Sequence, residues 1–161
     1  MRSLVIRAAL SGALFLLTAP AFAQAPKVEQ VPTQPVKVVS GKSSTATFVF
    51  RVAEGMHVNS NKPLDELLVP TTLKLQPPTQ LMVAKINYPE GELMNFPFSP
   101  EEKLSLYTGD FGIKALVRVV PGTGPGIYRI KGELKYQACN NRQCFPPKSL
   151  PVILDVKVSR K

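Results

Sequence analysis

The sequence predicts an all-β protein, a single antiparallel β-sandwich of immunoglobulin-like type. Three observations predict it. Apolar and polar residues alternate with a period of two in short runs, as in strands with one buried face. Clusters of Gly, Pro, Asn and Asp separate those runs. Sixteen prolines among 161 residues argue against long helices and suit edge strands and connections. Seven or more short strands in this length fit a sandwich.

The chain opens with a segment outside that domain. Arg2 and Arg7 flank the start of an apolar run from Ala8 to Phe22, and Ala21-Phe22-Ala23 is a small-x-small site before Gln24. This is the pattern of a secretory signal peptide, residues 1–23, cleaved after Ala23. No cysteine follows the site, so a lipid anchor is not expected. No later segment approaches the ~18 uninterrupted apolar residues of a spanning helix. The expectation is an exported, soluble monomer that is not membrane-embedded.

Residues 24–35 are polar and proline-rich and read as a flexible lead-in. The domain is expected over residues 36–161. In "TATFVFRV", Ala46, Phe48, Phe50 and Val52 share one face. The runs "TTLKLQ", "LMVAKINY" and "IKALVRVV" alternate more weakly. In "GIYRIKGELKYQA", Tyr128, Ile130, Leu134 and Tyr136 face one way, and Arg129, Lys131, Glu133 and Lys135 the other. In "PVILDVKV", Val152, Leu154, Val156 and Val158 form the apolar face. Between the runs, "EGMHVNSNKP", "YPEGE", "YTGDFG" and "VPGTGPG" read as turns, and "PLDELLVP" has room for about one helical turn. There is no internal repeat.

The formal charge is +9, and two of those charges leave with the signal peptide. A basic chain can bind nucleic acid or anionic membrane. Here the lysines are scattered along alternating segments, and export separates the protein from nucleic acid. The charge reads as a solvated surface.

Export also means an oxidising compartment, where a cysteine pair can persist as a disulfide. Cys139 and Cys144, in "KYQACNNRQCFPPKSLP", are the two cysteines of the chain. If the buried parity of the preceding strand continues, Cys139 lies on the polar face with Lys135 and Gln137. Asn140 to Gln143 suit a tight connection, and the sulfurs meet near solvent at the mouth of a hairpin. Two readings stand level on the residues alone. One is a structural staple, although a ring of about six residues contributes only about 2 kcal/mol to a domain large enough to stand without it. The other is a redox pair, exposed, closely spaced and with Arg142 available to favour thiolate. Pro146 and Pro147 stop edge pairing or leave the flank open to a partner.

The run "YQACNNRQCFPP" resembles the active-site segment of the N-terminal periplasmic domain of the thiol:disulfide interchange protein DsbD. "GMHVNSNKP" is similar to that family's aromatic-His-x-Asn stretch, with Met56 in place of the aromatic, and "YPEGE" and "LYTGDFGIKALV" match in order and spacing. The resemblance covers nearly the whole chain after residue 23. It implies an immunoglobulin-like domain that relays electrons by thiol–disulfide exchange, with Cys139 and Cys144 as the redox pair. Tyr136, Gln137, Arg142, Phe145, Pro146 and Pro147 flank it. The implied partners are a thioredoxin-like donor fed by a membrane electron-conduit protein, and periplasmic disulfide isomerases or cytochrome c maturation thioredoxins as acceptors. The implied location is the periplasm, and the implied activity that of a protein-disulfide reductase component. No cofactor is expected beyond the Cys139–Cys144 disulfide. The family's cap, an aromatic shielding the disulfide, falls between Phe96 and Glu102, with Phe98 the candidate. This sequence has four residues between its cysteines, and it ends at Lys161 without membrane or thioredoxin domains. A separate molecule is therefore expected to reduce it.

Two other chemistries have candidate residues. His57 with Met56, Met82 and Met94 raises the idea of copper, but the spacing has no ligand repeat and no metal is expected. Glu101, Glu102 and Asp110 are candidates for an acid near the loop, against the ordinary reading of solvated carboxylates. A non-catalytic sandwich that binds exported proteins and carries a staple is the alternative to the redox module.

Overall fold

The computed structural model describes residues 27–96 and 99–160. The signal segment, the first three residues of the lead-in and Phe98 lie outside these residues. The described chain contains twelve strands and no helix. They are β1 (Val28–Val31), β2 (Val36–Val39), β3 (Ser43–Val52), β4 (His57–Asn59), β5 (Thr72–Gln76) and β6 (Leu81–Asn87). The second half holds β7 (Glu92–Phe96), β8 (Ser99–Tyr107), β9 (Asp110–Val119), β10 (Gly126–Tyr136), β11 (Ala138–Cys139) and β12 (Lys148–Ser159). Three four-stranded sheets result, in the orders β1-β3-β9-β6, β2-β12-β10-β5 and β11-β4-β8-β7. All pairings are antiparallel except β2 with β12.

The alternating runs become the core of an immunoglobulin-like sandwich. Ala46, Phe48 and Phe50 of β3 and Ile113, Ala115 and Val117 of β9 are fully buried. They join Ile130 and Leu134 of β10 and Val152, Leu154, Val156 and Val158 of β12 in one cluster. Burying each large side chain stabilises the fold by about 1.5–3 kcal/mol. The third sheet closes one end, and Val58, Tyr107 and Ala138 tie it into the same cluster. Two glycines are required by geometry. Gly91, in the "YPEGE" turn, lies where a Cβ would collide with the Ser105 hydroxyl and Ser60. Gly109, between β8 and β9, has φ of 52°, the left-handed region glycine adopts at no steric cost.

Several expectations are corrected. The lead-in contains a strand: β1 pairs with β3, and Val28 is 1% exposed. Gln30 adds a second tie, its Nε2 donating to the Ile153 carbonyl at 2.7 Å and its Oε1 accepting from Ile153 N at 2.9 Å. The β3 ladder, one buried apolar side chain and one amide dock a segment whose composition is that of a linker. "PLDELLVP" goes no further than one hydrogen-bonded turn, Leu68 N donating to Asp65 O at 3.2 Å; Asp65 Oδ1 also accepts the Leu67 N–H at 2.8 Å, a side-chain bond that competes with helix. Inside "EGMHVNSNKP", residues 57–59 form β4.

Candidate functional site

The parity carried through β10 ends at Tyr136. There the chain leaves the β12 ladder, and Ala138 and Cys139 pair instead with Val58 and His57 of β4. Period-two parity holds only within one continuous ladder, so Cys139 does not share the polar face of Lys135 and Gln137. It is 2% exposed. Cys144 is exposed, as expected of the return path. The two are bonded at 2.05 Å, with Cα atoms 4.0 Å apart.

The loop between them is built by one asparagine. Asn140 Oδ1 accepts the N–H groups of Arg142 and Gln143, both at 2.9 Å, and Asn140 N donates to Gln143 O at 2.9 Å. Phe145 N donates to Ala138 O at 2.9 Å, and Gln137 Nε2 donates to Phe145 O at 3.1 Å. Gln137 thus fastens the base of the hairpin. Arg142 stands exposed at its tip, and Pro146 and Pro147 are exposed beside Cys144. Tyr136 is a core residue, 4% exposed, and hydrogen-bonds to the backbone of Val28. Lys27 carries its ammonium over the Phe145 ring, where desolvation and then Lys148 hold it below its ordinary pKa. A cation over an aromatic face is attracted by the ring quadrupole.

Both cysteines line a cleft of about 240 Å³. Its walls come from three places distant in sequence: His57 and Asn59 of β4, Asp65 and Leu68 of the next loop, and Glu102 and Leu104 of β8. Asn59 Nδ2 donates to Val69 O at 3.0 Å, and Thr71 Oγ1 donates to Asn59 O at 2.6 Å; these bonds pin the ends of the 61–70 loop. The Tyr107 hydroxyl donates to Asn61 Oδ1 at 2.8 Å. His57 is 4% exposed and packs on Phe96 with ring centroids 4.6 Å apart. Its desolvation pushes the imidazole pKa below 6.5.

Sequence reasoning located the cysteines and missed most of the walls. Asp65, Leu68 and Leu104 carry no local signal, and nothing in the spacing of His57 links it to the thiols. Of the three carboxylates considered, Glu102 lines the cleft. Asp110 binds Arg51 through two bonds of 2.7 and 2.8 Å and belongs to a neighbouring cleft. Met56 and Met94 line that second cleft with His57, whereas Met82 is exposed on β6. Among the described residues no three His, Cys, Asp or Glu gather as metal ligands.

Fold and site together define an immunoglobulin-like domain with a disulfide in a cleft at one end. The chain matches the family described as thiol:disulfide interchange protein DsbD, N-terminal, over residues 24–154, and it belongs to that family. No curated protein matches it. Among solved structures, it is similar to the reduced N-terminal domain of DsbD from Neisseria meningitidis, at 20% identity and a TM-score of 0.42, covering 69% of this chain and 74% of that one. It is also similar to PapD-like domain 7 of human CEP192, at 12% identity and a TM-score of 0.34, covering 97% and 99%. A family 123 glycoside hydrolase from Clostridium perfringens is 15% identical, with a TM-score of 0.36 and coverage of 81% and 24%. Membership rests on the family match. Among the described residues no helix is long and apolar enough to cross a membrane.

Proposed function

We propose that the protein is a periplasmic electron-relay module. Its Cys139–Cys144 pair takes reducing equivalents from a thioredoxin-like donor, fed by a membrane electron-conduit protein, and passes them to disulfide isomerases or cytochrome c maturation thioredoxins. The observation that carries this reading is the asymmetry of the bond. Cys144 is exposed beside two exposed prolines, while Cys139 is 2% exposed. Exchange needs one sulfur open to attack and one held to resolve the mixed disulfide, so Cys144 forms the intermolecular bond and Cys139 resolves it. A partner reaching Cys144 also meets the rim loop, where Leu67 is 90% exposed and Leu64 63%. Exposed leucines beside a reactive bond offer apolar anchors for docking. In this reading Phe98, between β7 and β8, is the cap, and it moves aside when the partner docks. The disulfide is the whole redox equipment, with no other cofactor.

The test is equilibration with glutathione redox buffers, followed by trapping. A potential above about −300 mV marks a labile bond and one below it a structural bond. With Cys139→Ala, a thioredoxin-like partner lacking its resolving cysteine is expected to accumulate as a covalent adduct; with Cys144→Ala it is not. A potential below that limit, together with no adduct from either variant, would leave the bond a staple in a non-catalytic binding module.

A further inference from the structure

The histidine of this chain lies across one strand pairing from the cysteine that must resolve the exchange. Cys139 and His57 are register partners in the antiparallel pairing of β11 and β4. Such partners direct their side chains to the same face, with Cβ atoms about 4.5–5.5 Å apart. Both side chains line the disulfide cleft. Every buried side-chain nitrogen and oxygen in the described chain has a hydrogen-bond partner. The imidazole makes no hydrogen bond to a described residue, so its nitrogens open into the clefts it borders.

Resting on the redox reading above, we propose that His57 accepts the proton of the Cys139 thiol in the resolving step. The dithiol form begins the reaction when the Cys144 thiolate attacks a partner's disulfide. One partner sulfur leaves as thiolate, and a Cys144–partner disulfide forms. The Cys139 S–H then passes its proton to the imidazole, and the new thiolate attacks Cys144 Sγ. The Cys139–Cys144 bond forms, the bond to the partner breaks, and the departing partner thiolate takes the proton from the imidazolium. The dithiol is oxidised by two electrons, and the partner's disulfide is reduced by two.

The need for an acceptor follows from burial, because a thiol in apolar surroundings resists ionisation. Other titratable groups face His57. Asp65 and Glu102 share the disulfide cleft, and Arg51, Glu54 and Asp110 share the neighbouring one. Arg51 and Asp110 satisfy each other, and Asp65 accepts the Leu67 N–H. A carboxylate is a far weaker base towards a thiol than an imidazole is. Desolvation, which lowers the His57 pKa, keeps the ring neutral and ready before the step.

The experiment uses reduced protein and oxidised glutathione as the probe, following release of the second glutathione by rapid quench from pH 5 to pH 9. At pH 7, His57→Gln is expected to resolve about a hundred-fold more slowly than the unsubstituted protein. The two rates should draw together as pH rises towards 9, because hydroxide then competes with the imidazole for the thiol proton. The unsubstituted profile should also carry an inflection below pH 6.5 that the variant lacks. Superimposed profiles, or one constant factor at all pH values, would overturn the proposal, since a purely structural residue gives no pH-dependent difference. Should His57→Gln not fold, the His57 resonances of the unsubstituted protein decide. The imidazole pKa should differ between dithiol and disulfide forms, and the same pKa in both would overturn the proposal. If the unsubstituted protein releases no glutathione, the redox reading itself fails.

Discussion

His57 gives the domain an acid sensitivity that its exposed ion pairs do not. Its folded pKa lies below 6.5 because burial disfavours the imidazolium. Above pH 6.5 neither state binds the proton, and the residue does not affect stability. As pH falls through 6.5 the unfolded chain takes up a proton that the folded chain refuses, so stability declines until the folded pKa is reached. Asp110 and Asp155 work lower. Their hydrogen bonds to Arg51 and Arg129 depress their pKa values below 3.8, so their contribution is present above that value and is lost only as pH drops beneath it. Urea midpoints at pH 7.5 and 5.5 should therefore fall for the unsubstituted protein and stay level for His57→Gln. Equal falls in both would mean that another group titrates in that window.

At the scale of elements, the loop over residues 61–70 is a wall of the cleft held by a few side-chain bonds. Removing the Asn59 amide frees Val69 O, a part-buried acceptor, at a cost of about 1 kcal/mol. Asn59→Ala should lower stability by that amount and speed reduction of the disulfide by dithiothreitol several-fold. An unchanged reduction rate would show that the loop does not shield the bond. The legibility of the fold also divides by element. β3, β10 and β12 announced themselves because each buries one face along a single ladder, from Ala46 to Val52 and from Val152 to Val158. β7 did not, since Glu92 to Asn95 are all exposed. Neither did β4, whose three residues are all buried. β1 was hidden by the prolines on either side of it, Pro26 and Pro32. The cysteine pair was legible from spacing, but its surroundings were not. Whether His57, Asp65 and Leu104 meet depends on which strands pair, and no local periodicity encodes that.

Taken whole, the molecule keeps its core independent of its disulfide. The bond closes a ring at the end of the sandwich, away from the packed faces of β3, β9, β10 and β12. Reduction should cost about 2 kcal/mol or less and lower the thermal midpoint by under about 10 °C. Calorimetry on the dithiol and disulfide forms checks this, and loss of the cooperative transition on reduction would contradict it. The proposed relay role requires a domain that stays folded in both states.

The five-residue separation of the cysteines also bears on how the chain acquires its bond. Two cysteines permit one intramolecular pairing, so oxidation of a newly made chain has no wrong isomer to form and nothing to reshuffle. The sheets close across long stretches, as where Val36 aligns with Val156, and such closure is slow. The thiols are near neighbours in the extended chain and can join before any sheet exists. Oxidation before, during or after folding yields the same product, so biosynthesis of this domain requires an oxidant but no proofreading of disulfides.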